Sequence, residues 1–156
     1  MRLFHVGYVV DEIRQAMAEY GDATGLTWAQ PTLRPVRVLV DEDTEPVEVQ
    51  LWATYSQQGP PHLELIQEVR GGVWGGVNGS PRLDHVGYSE SDLRAGTARL
   101  MSIPGTAAVR AVDEQGRPSR FAYLRPRSGG PWLELVEERI RPELSAWIQG
   151  EPYRVS

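Results

Sequence analysis

Apolar and polar residues alternate along the chain in two similar runs of predicted elements. "RLFHVGYVV", near the N-terminus, is rich in β-branched and aromatic residues, which predicts a strand. Apolar residues then recur at helical spacing, with Asp11 as the candidate N-cap and Gly21 or Gly25 as the candidate end of the helix. Three more strands are predicted over "VRVLVDE", "VEVQLWAT" and "HLELIQEV". The first run therefore has the order β-α-β-β-β.

The second run repeats this order. "RLDHVGYSE" predicts a strand, and the helix that follows has Ser91 as its candidate cap. Three further strands are predicted over "TAAVRAV", "RFAYLRP" and "WLELVEE". A closing helix is predicted over "RPELSAWIQG", where Pro142 is compatible with the first turn.

The two runs share motifs at both ends. His-Val-Gly-Tyr opens each run, at 5–8 and at 85–88, and Leu-Glu-Leu lies in the last strand of each. Matched motifs in the same order indicate an internal duplication. We predict one compact domain, divided into a first βαβββ module over 1–70, a Gly-rich linker over 71–81, a second βαβββ module over 82–138, and a C-terminal helix and tail over 139–156.

The repeated strands carry side chains that suit a metal ion. Neighbouring residues of a strand point to opposite faces, so Glu64 and Glu134 point away from the leucines on either side of them. A glycine two residues after each of His5 and His85 keeps the adjacent surface open. Taken singly, each histidine is better explained as an ordinary core or surface residue. Taken together, two imidazoles and two carboxylates predict a site for Zn, Ni, Co, Mn or Fe.

Composition narrows the classes of function. The chain has 156 residues, 40% of them hydrophobic, and a formal net charge of −5, which argues against a nucleic-acid partner. The absence of Cys excludes disulfides, thiolate nucleophiles and sulfur-ligated metals. No apolar run approaches the roughly 20 residues that span a bilayer, and the N-terminus does not have the pattern of a signal peptide. We expect a soluble, cytoplasmic protein without a membrane partner.

The motifs resemble those of the vicinal oxygen chelate superfamily, which includes glyoxalase I, methylmalonyl-CoA epimerase, extradiol dioxygenases and bleomycin-resistance proteins. The resemblance covers about residues 3–138, nearly the whole chain. It implies an α+β fold in which two βαβββ modules form an incomplete, strongly curved β-barrel around a central cavity. The ligand positions of metal-binding members match His5, Glu64, His85 and Glu134. "SGGPWLEL", near the end of the second module, looks most like the epimerase and glyoxalase I branch.

Three departures from the epimerase pattern weaken transfer of its substrate. This chain has Asp84 where epimerases often carry a second histidine, and Arg125 where they tend to have histidine in Leu-His-Pro. Glu64 stands where that subgroup often has glutamine. These differences leave the four ligand positions nearly unchanged.

The resemblance also implies catalytic roles. Glu134 is implied as a ligand that leaves the metal to act as a base, and Glu48 is a second candidate base whose alternative is an exposed strand residue. The candidate substrate-binding residues are Gln50, Trp132, Arg120 and Arg125. His62 shares a face with Glu64 and is an alternative ligand, although a loop-edge position after Pro61 explains it better.

We expect a metal-dependent isomerase, epimerase or lyase that removes a proton beside a carbonyl and stabilises the enolate, on a small acyl or 2-oxo substrate. The first alternative is a non-catalytic protein of this fold that binds a small molecule or antibiotic. The second is an iron-dependent ring-cleaving dioxygenase, against which the second carboxylate argues. A homodimer is expected, and the sequence leaves open whether the site closes within one chain or across two.

Overall fold

Eight strands form a sheet that closes on itself in the computed structural model, which describes residues 2–41, 45–74, 82–125 and 129–154. Both runs have the predicted element order. The first contains β1 (Arg2–Val9), α1 (Ile13–Thr24), β2 (Thr32–Val40), β3 (Val47–Tyr55) and β4 (His62–Arg70). The second contains β5 (Arg82–Glu90), α2 (Leu93–Met101), β6 (Ala107–Val112), β7 (Pro118–Arg125) and β8 (Trp132–Glu137), followed by a short 3-10 turn (Glu138–Ile140) and α3 (Arg141–Ile148).

The order of strands around the barrel is β1-β4-β3-β2-β6-β7-β8-β5, and β5 returns to β1. In each run the first and last strands are parallel neighbours. The two runs meet twice, through the antiparallel pairs β1–β5 and β2–β6. The α+β class and the strongly curved barrel are therefore confirmed, and hydrogen bonds between strands continue around the whole ring.

The helices cover the outside of the barrel. Leu65 packs under α1 and Leu135 packs beside Leu93 of α2, and both leucines are fully buried. α3 packs through Trp147 and Ile148 against residues of β1 and β3. The second leucine of each Leu-Glu-Leu motif thus faces a helix, as the alternation predicts, and the preceding glutamate faces the interior.

Two helix caps differ by one residue from the sequence prediction. Glu12, rather than Asp11, accepts hydrogen bonds from the backbone N–H groups of the first turn of α1. Asp92, rather than Ser91, does the same for α2 through Ala95 N. In both helices the carboxylate directly before the first helical residue, rather than the residue one position earlier, accepts from the free N–H groups. α1 ends at Gly25, whose φ of 75° is the left-handed conformation that glycine adopts readily.

The proposed linker over 71–81 is described only as far as residue 74, so most of it lies outside the described residues. Within the described part of the chain, no helix is both long enough and apolar enough to cross a membrane.

Candidate metal centre

The pairing of β1 with β5 brings His5 and His85 together inside the barrel. His5 lies opposite Gly87 in this antiparallel pair, and His85 lies opposite Gly7. Both histidines are fully buried, and their Nε2 atoms are 2.9 Å apart. The repeated His-Val-Gly-Tyr motif therefore places each histidine against the glycine of the other copy.

The two glutamates come from the strands on either side of this pair. Glu64 of β4 is in register with Gly7, and Glu134 of β8 is in register with Gly87. Glu64 Oε2 lies 3.1 Å from His5 Nε2 and 2.9 Å from His85 Nε2. Glu134 Oε2 lies 2.6 Å and 3.4 Å from the same two nitrogens. Both carboxylates are buried, so the four predicted ligands form one cluster within a single chain.

The geometry of the cluster fits one divalent cation. One ligand atom from each residue can be chosen so that all four lie within 4.8 Å of one another. Atoms that bind an ion at about 2.1 Å and at right angles to each other are about 3.0 Å apart, close to the contacts found here. The set of two imidazole nitrogens and two carboxylate oxygens also suits a first-row transition metal.

Hydrogen bonding alone does not account for these contacts. His5 Nε2 has His85 Nε2, Glu64 Oε2 and Glu134 Oε2 as close neighbours, but an imidazole nitrogen carries at most one proton. Glu134 Oε2 makes no well-aligned hydrogen bond within the described residues, despite its 2.6 Å contact. A cation at the centre would satisfy all four atoms and offset the cost of burying two carboxylates.

Without a cation, the histidines carry the compensating charge. Burial lowers the pKa of His85, but hydrogen bonds with Asp84 and Glu64 and the charge of Glu134 outweigh burial and raise that pKa to about 10. Burial also lowers the pKa of His5, and the charges of Glu134 and Glu64 outweigh it, so that the net shift is upward. Burial raises the pKa of Glu64, but the two histidines hold it below its ordinary value. A metal ion must therefore displace protons from the centre.

The two histidines have different neighbours at Nδ1. Asp84 Oδ2 lies 3.2 Å from His85 Nδ1, and Arg82 lies 3.4 Å from the other oxygen of this carboxylate. The equivalent residue in β1 is Phe4, whose ring meets His5 edge-on. His5 Nδ1 has no hydrogen-bond partner within the described residues. Asp84 thus orients one ligand of the pair, as carboxylates behind metal-binding histidines do.

A small cavity opens beside the carboxylates, with a volume of about 30 Å³, which is room for a water-sized group. Its lining includes Glu64 and Glu134, the hydroxyl-bearing residues Tyr55 and Tyr123, and Arg34. Tyr55 is in register with Glu64, and Tyr123 is in register with Glu134. Burial, followed by the charges of the two glutamates, raises the pKa of both tyrosines well above the ordinary value, so their hydroxyls stay protonated.

The sequence analysis missed three residues of the cavity lining, Tyr55, Tyr123 and Arg34. Tyr55 and Tyr123 lie on the third strand of each run, but they belong to no repeated motif. Only their position could have indicated a role in the site, because each tyrosine pairs across the sheet with the glutamate of a Leu-Glu-Leu motif. Arg34 lies on β2, before the stretch from which that strand was predicted. No sequence signal singled it out.

The structure does not bring Glu48 or Gln50 to the cluster. Glu48 is exposed on β3, where its carboxylate lies 3.7 Å from Arg37. The apolar residues that alternate with them, Val49 and Leu51, are the ones that face the interior. Neither Glu48 nor Gln50 lines the cavity beside Glu64 and Glu134.

The remaining candidate residues lie outside the four-residue cluster, although Arg120 lines a second, larger cavity next to the small one. Arg120 binds Glu143 at 3.1 Å and the Tyr153 hydroxyl at 2.7 Å. The guanidinium of Arg125 lies 4.4 Å over the ring of Trp132, and neither side chain lines the small cavity.

His62 is not a member of the four-residue cluster. Its Nδ1 contacts the carbonyl oxygen of Ser56 at 2.8 Å. This bond holds the ring at the start of β4, which fits the loop-edge interpretation.

Comparison with known proteins gives the family context of this geometry. The family model described as the Glyoxalase/Bleomycin resistance protein/Dioxygenase superfamily matches residues 4–123. No curated protein sequence matches the chain.

Several solved structures share the fold. Methylmalonyl-CoA epimerase from Mycobacterium tuberculosis is 24% identical, with a TM-score of 0.56 over 87% of both chains. A variant of the Streptomyces coelicolor methylmalonyl-CoA epimerase in complex with 2-nitronate-propionyl-CoA is 19% identical, with a TM-score of 0.58 over 88% of this chain and 96% of that one. A methylmalonyl-CoA epimerase in complex with methylmalonyl-CoA and NH4+ is 16% identical, with a TM-score of 0.53 over 87% and 93%.

Proposed function

The chain belongs to the Glyoxalase/Bleomycin resistance protein/Dioxygenase superfamily, and from that premise we propose that it is a metal-dependent isomerase, epimerase or lyase that removes a proton beside a substrate carbonyl. The observation that carries the proposal is the buried cluster of His5, Glu64, His85 and Glu134, whose ligand atoms converge beside a cavity. Such a cluster supports chemistry more readily than passive binding, because burying two carboxylates is costly.

The four clustered residues would hold the cation, which would polarise a substrate carbonyl and so lower the barrier to removing the neighbouring proton. Two neutral imidazoles and two carboxylates balance the charge of a divalent ion. Four protein ligands would leave room for water or a substrate oxygen on the cation, and the cavity opens beside two of these ligands, Glu64 and Glu134.

Glu134 is the better candidate for the base. Glu64 is held by both histidines, at 3.1 Å and 2.9 Å. Glu134 has one short contact and one long contact, and its Oε2 lacks a well-aligned hydrogen bond within the described residues. A carboxylate that is held less firmly can turn toward a substrate proton with a smaller loss of interactions.

Tyr55 and Tyr123 would orient the substrate. Both phenols are buried, line the cavity, and remain protonated at neutral pH because their pKa values are raised. A protonated hydroxyl can donate a hydrogen bond to an oxygen on which negative charge develops. Each lies in register with one glutamate, so a donor stands beside each carboxylate.

The substrate would be a small acyl or 2-oxo compound, methylmalonyl-CoA epimerase-like or glyoxalase I-like. Two of the structures with this fold hold 2-nitronate-propionyl-CoA and methylmalonyl-CoA. The small volume beside the carboxylates supports a compact reacting group at the centre. Thioesters and 2-oxo acids both present such a group next to an acidified proton.

Hydrogen–deuterium exchange of substrate protons tests the proposal. Protein loaded separately with Zn, Ni, Co, Mn or Fe is incubated in D₂O with methylmalonyl-CoA, other acyl-CoA thioesters and 2-oxo acids, and exchange is followed by proton NMR. We expect metal-dependent exchange that Glu134→Gln slows by about 100-fold or more, the usual range for loss of a general base. Glu151→Gln, at an exposed carboxylate, serves as the matched control.

Two results would count against the proposal. Metal-loaded protein that exchanges no substrate proton would favour a non-catalytic binder with the same cavity. Exchange by Glu134→Gln at the wild-type rate would remove Glu134 from the role of base.

A further inference from the structure

Arg34 lies where two cavities meet. It is on β2 and half-buried, and it lines the small cavity that contains Glu64 and Glu134. It also lines an outer cavity of about 510 Å³, which shares Val36 and Phe121 with the small one. A ligand that extends from the outer cavity to the centre must therefore pass Arg34.

Aromatic rings hold the guanidinium in place. Its central carbon lies 4.8 Å from the ring centroid of Tyr153 and 5.9 Å from that of Trp147. Such stacking uses the flat face of the guanidinium and leaves the N–H groups on its edge free to donate. The side chain is thus fixed without its hydrogen-bonding capacity being used.

Arg34 makes no direct ion pair in the described part of the chain, where no carboxylate oxygen lies within 4.0 Å of its guanidinium nitrogens and no hydrogen bond from this side chain is found. Glu64 and Glu134 act on its charge only at longer range, through the cavity that all three residues line. Its neighbours differ, because Arg37 pairs with Glu48 and Arg120 pairs with Glu143. A half-buried guanidinium that contacts no protein carboxylate and is open to a cavity can accept an anionic ligand.

We propose that Arg34 binds a carboxylate of the substrate, so that the substrate class is a small oxo acid or an acyl compound that carries a free carboxylate. This inference rests on the proposed function for the position of the reacting carbonyl. The planar edge of guanidinium matches a carboxylate through two parallel hydrogen bonds. A singly charged carboxylate is favoured over a phosphate dianion because Arg34 is half-buried and a dianion costs more to remove from water.

The test compares acids with their neutral esters. Calorimetric titrations of cobalt-loaded protein use pyruvate, 2-oxobutyrate, their methyl esters and inorganic phosphate as probes, at constant ionic strength. The variants are Arg34→Gln, Arg34→Lys and, as the control, Arg14→Gln at an exposed position of α1 that lines neither cavity. Circular dichroism and thermal melting confirm that each variant is folded.

We expect pyruvate and 2-oxobutyrate to bind wild-type protein about tenfold or more tightly than their methyl esters, as a charge-assisted pair predicts. Arg34→Gln should remove that preference, and Arg34→Lys should keep part of it because the charge remains without the planar fork. Arg14→Gln should bind each probe within about twofold of the wild-type affinity, since its exposed side chain lies outside both cavities.

Three results would overturn the inference. They are equal binding of acid and ester by wild-type protein, wild-type affinity in Arg34→Gln, and binding of phosphate in preference to both acids. Repeating the titrations on chelator-treated protein separates this inference from the proposed function. Arg34-dependent carboxylate binding without metal binding or proton exchange would leave the inference standing and remove the proposed chemistry. Proton exchange that is unaffected by Arg34→Gln would leave the proposed chemistry standing and remove the inference about Arg34.

Discussion

A Cβ atom on Gly87 would lie 2.1 Å from Cε1 of His5, inside the imidazole ring's own space. The reciprocal pair is equally close, because a Cβ on Gly7 would lie 1.8 Å from Cε1 of His85. Each histidine therefore occupies the volume that glycine leaves empty on the neighbouring strand. The glycine of the repeated motif is required by the histidine of the other copy.

Gly87→Ala should displace His5 and weaken metal binding. The added methyl forces the ring out of the cluster, and we expect metal affinity to fall by roughly 10- to 100-fold, as for other changes that misplace a ligand. Overpacking of this kind costs about 1–3 kcal/mol in the free energy of unfolding. Metal titration and thermal melting measure the two effects. Leu83→Ala, at an exposed position on the same strand, is the control, and equal metal affinity in the two variants would contradict the account.

Asp84→Asn should weaken metal binding through His85 alone. Asparagine keeps the shape of the side chain but loses the negative charge behind His85 Nδ1, which lies 3.2 Å from Asp84 Oδ2. Loss of such a partner lowers metal affinity by about 10- to 100-fold. Competitive titration with a chromogenic chelator measures the change, with Asp22→Asn on the exposed face of α1 as control. Affinity equal to that of the control would show that Asp84 does not orient the ligand.

Metal binding should release protons and should strengthen as pH rises. The pKa of His85 in the metal-free protein is raised from 6.5 to about 10, so at neutral pH the metal competes with a proton. For each proton that the metal displaces, metal affinity should rise about tenfold per pH unit between about pH 7 and 9. Cobalt titrations in buffers with different ionisation enthalpies count the protons. Affinity that is flat between pH 7 and 9 would contradict the charge state inferred here.

The raised pKa of His85 also determines whether the free energy of unfolding of metal-free protein rises or falls with pH. The stabilisation from protonated His85 is fully present below the unfolded-state value of about 6.5 and is lost as pH rises through about 10. The free energy of unfolding of chelator-treated protein should therefore fall across this window. His85→Gln should reduce this dependence to the part contributed by His5, whose pKa is also raised, and urea unfolding at several pH values provides the comparison.

Glu68 should hold Trp74 against the cavity. Its carboxylate accepts hydrogen bonds from the backbone N–H groups of Gly72, Val73 and Trp74. The buried indole of Trp74 packs edge-on against Tyr123, with ring centroids 5.5 Å apart. Hydrogen bonds to a charged group stabilise by about 1.5–3 kcal/mol.

Loss of that carboxylate should expose the indole. We expect Glu68→Ala to increase acrylamide quenching of the fluorescence assigned to Trp74 by difference from Trp74→Phe. Glu114→Ala, at an exposed carboxylate, should leave quenching unchanged. Quenching of Glu68→Ala at the wild-type level would show that other contacts hold the indole.

The sequence predicted the order of elements and the four clustered residues because these features are local or repeated. Alternation places Glu64 and Glu134 opposite leucines, and the duplication pairs them with His5 and His85. The register of β1 against β5 is set by long-range pairing, so the fit of Gly87 against His5 could not be read from either copy alone. The sequence showed only that each glycine is two residues from a histidine.

The cavity lining was harder to predict, because the face of a strand that points inward depends on what covers its other face. In β4 the glutamate faces inward, since α1 covers the leucines. In β3 the glutamate Glu48 faces outward, and Val49 and Leu51 face inward. Alternation is the same in both strands, so it does not show which face of a strand points into the barrel. Arg34 on β2 and Tyr55 on β3 could not be placed in the site for this reason.

The metal content of protein purified without chelators tests the central claim most directly. Elemental analysis and titration of wild type, His5→Ala, His85→Ala and the control Leu83→Ala would be compared. We expect about one equivalent of a divalent transition metal per chain in wild type and in the control, and loss of that metal in both histidine variants. Wild-type protein that takes up no metal, or histidine variants that hold it as tightly as wild type, would contradict the account.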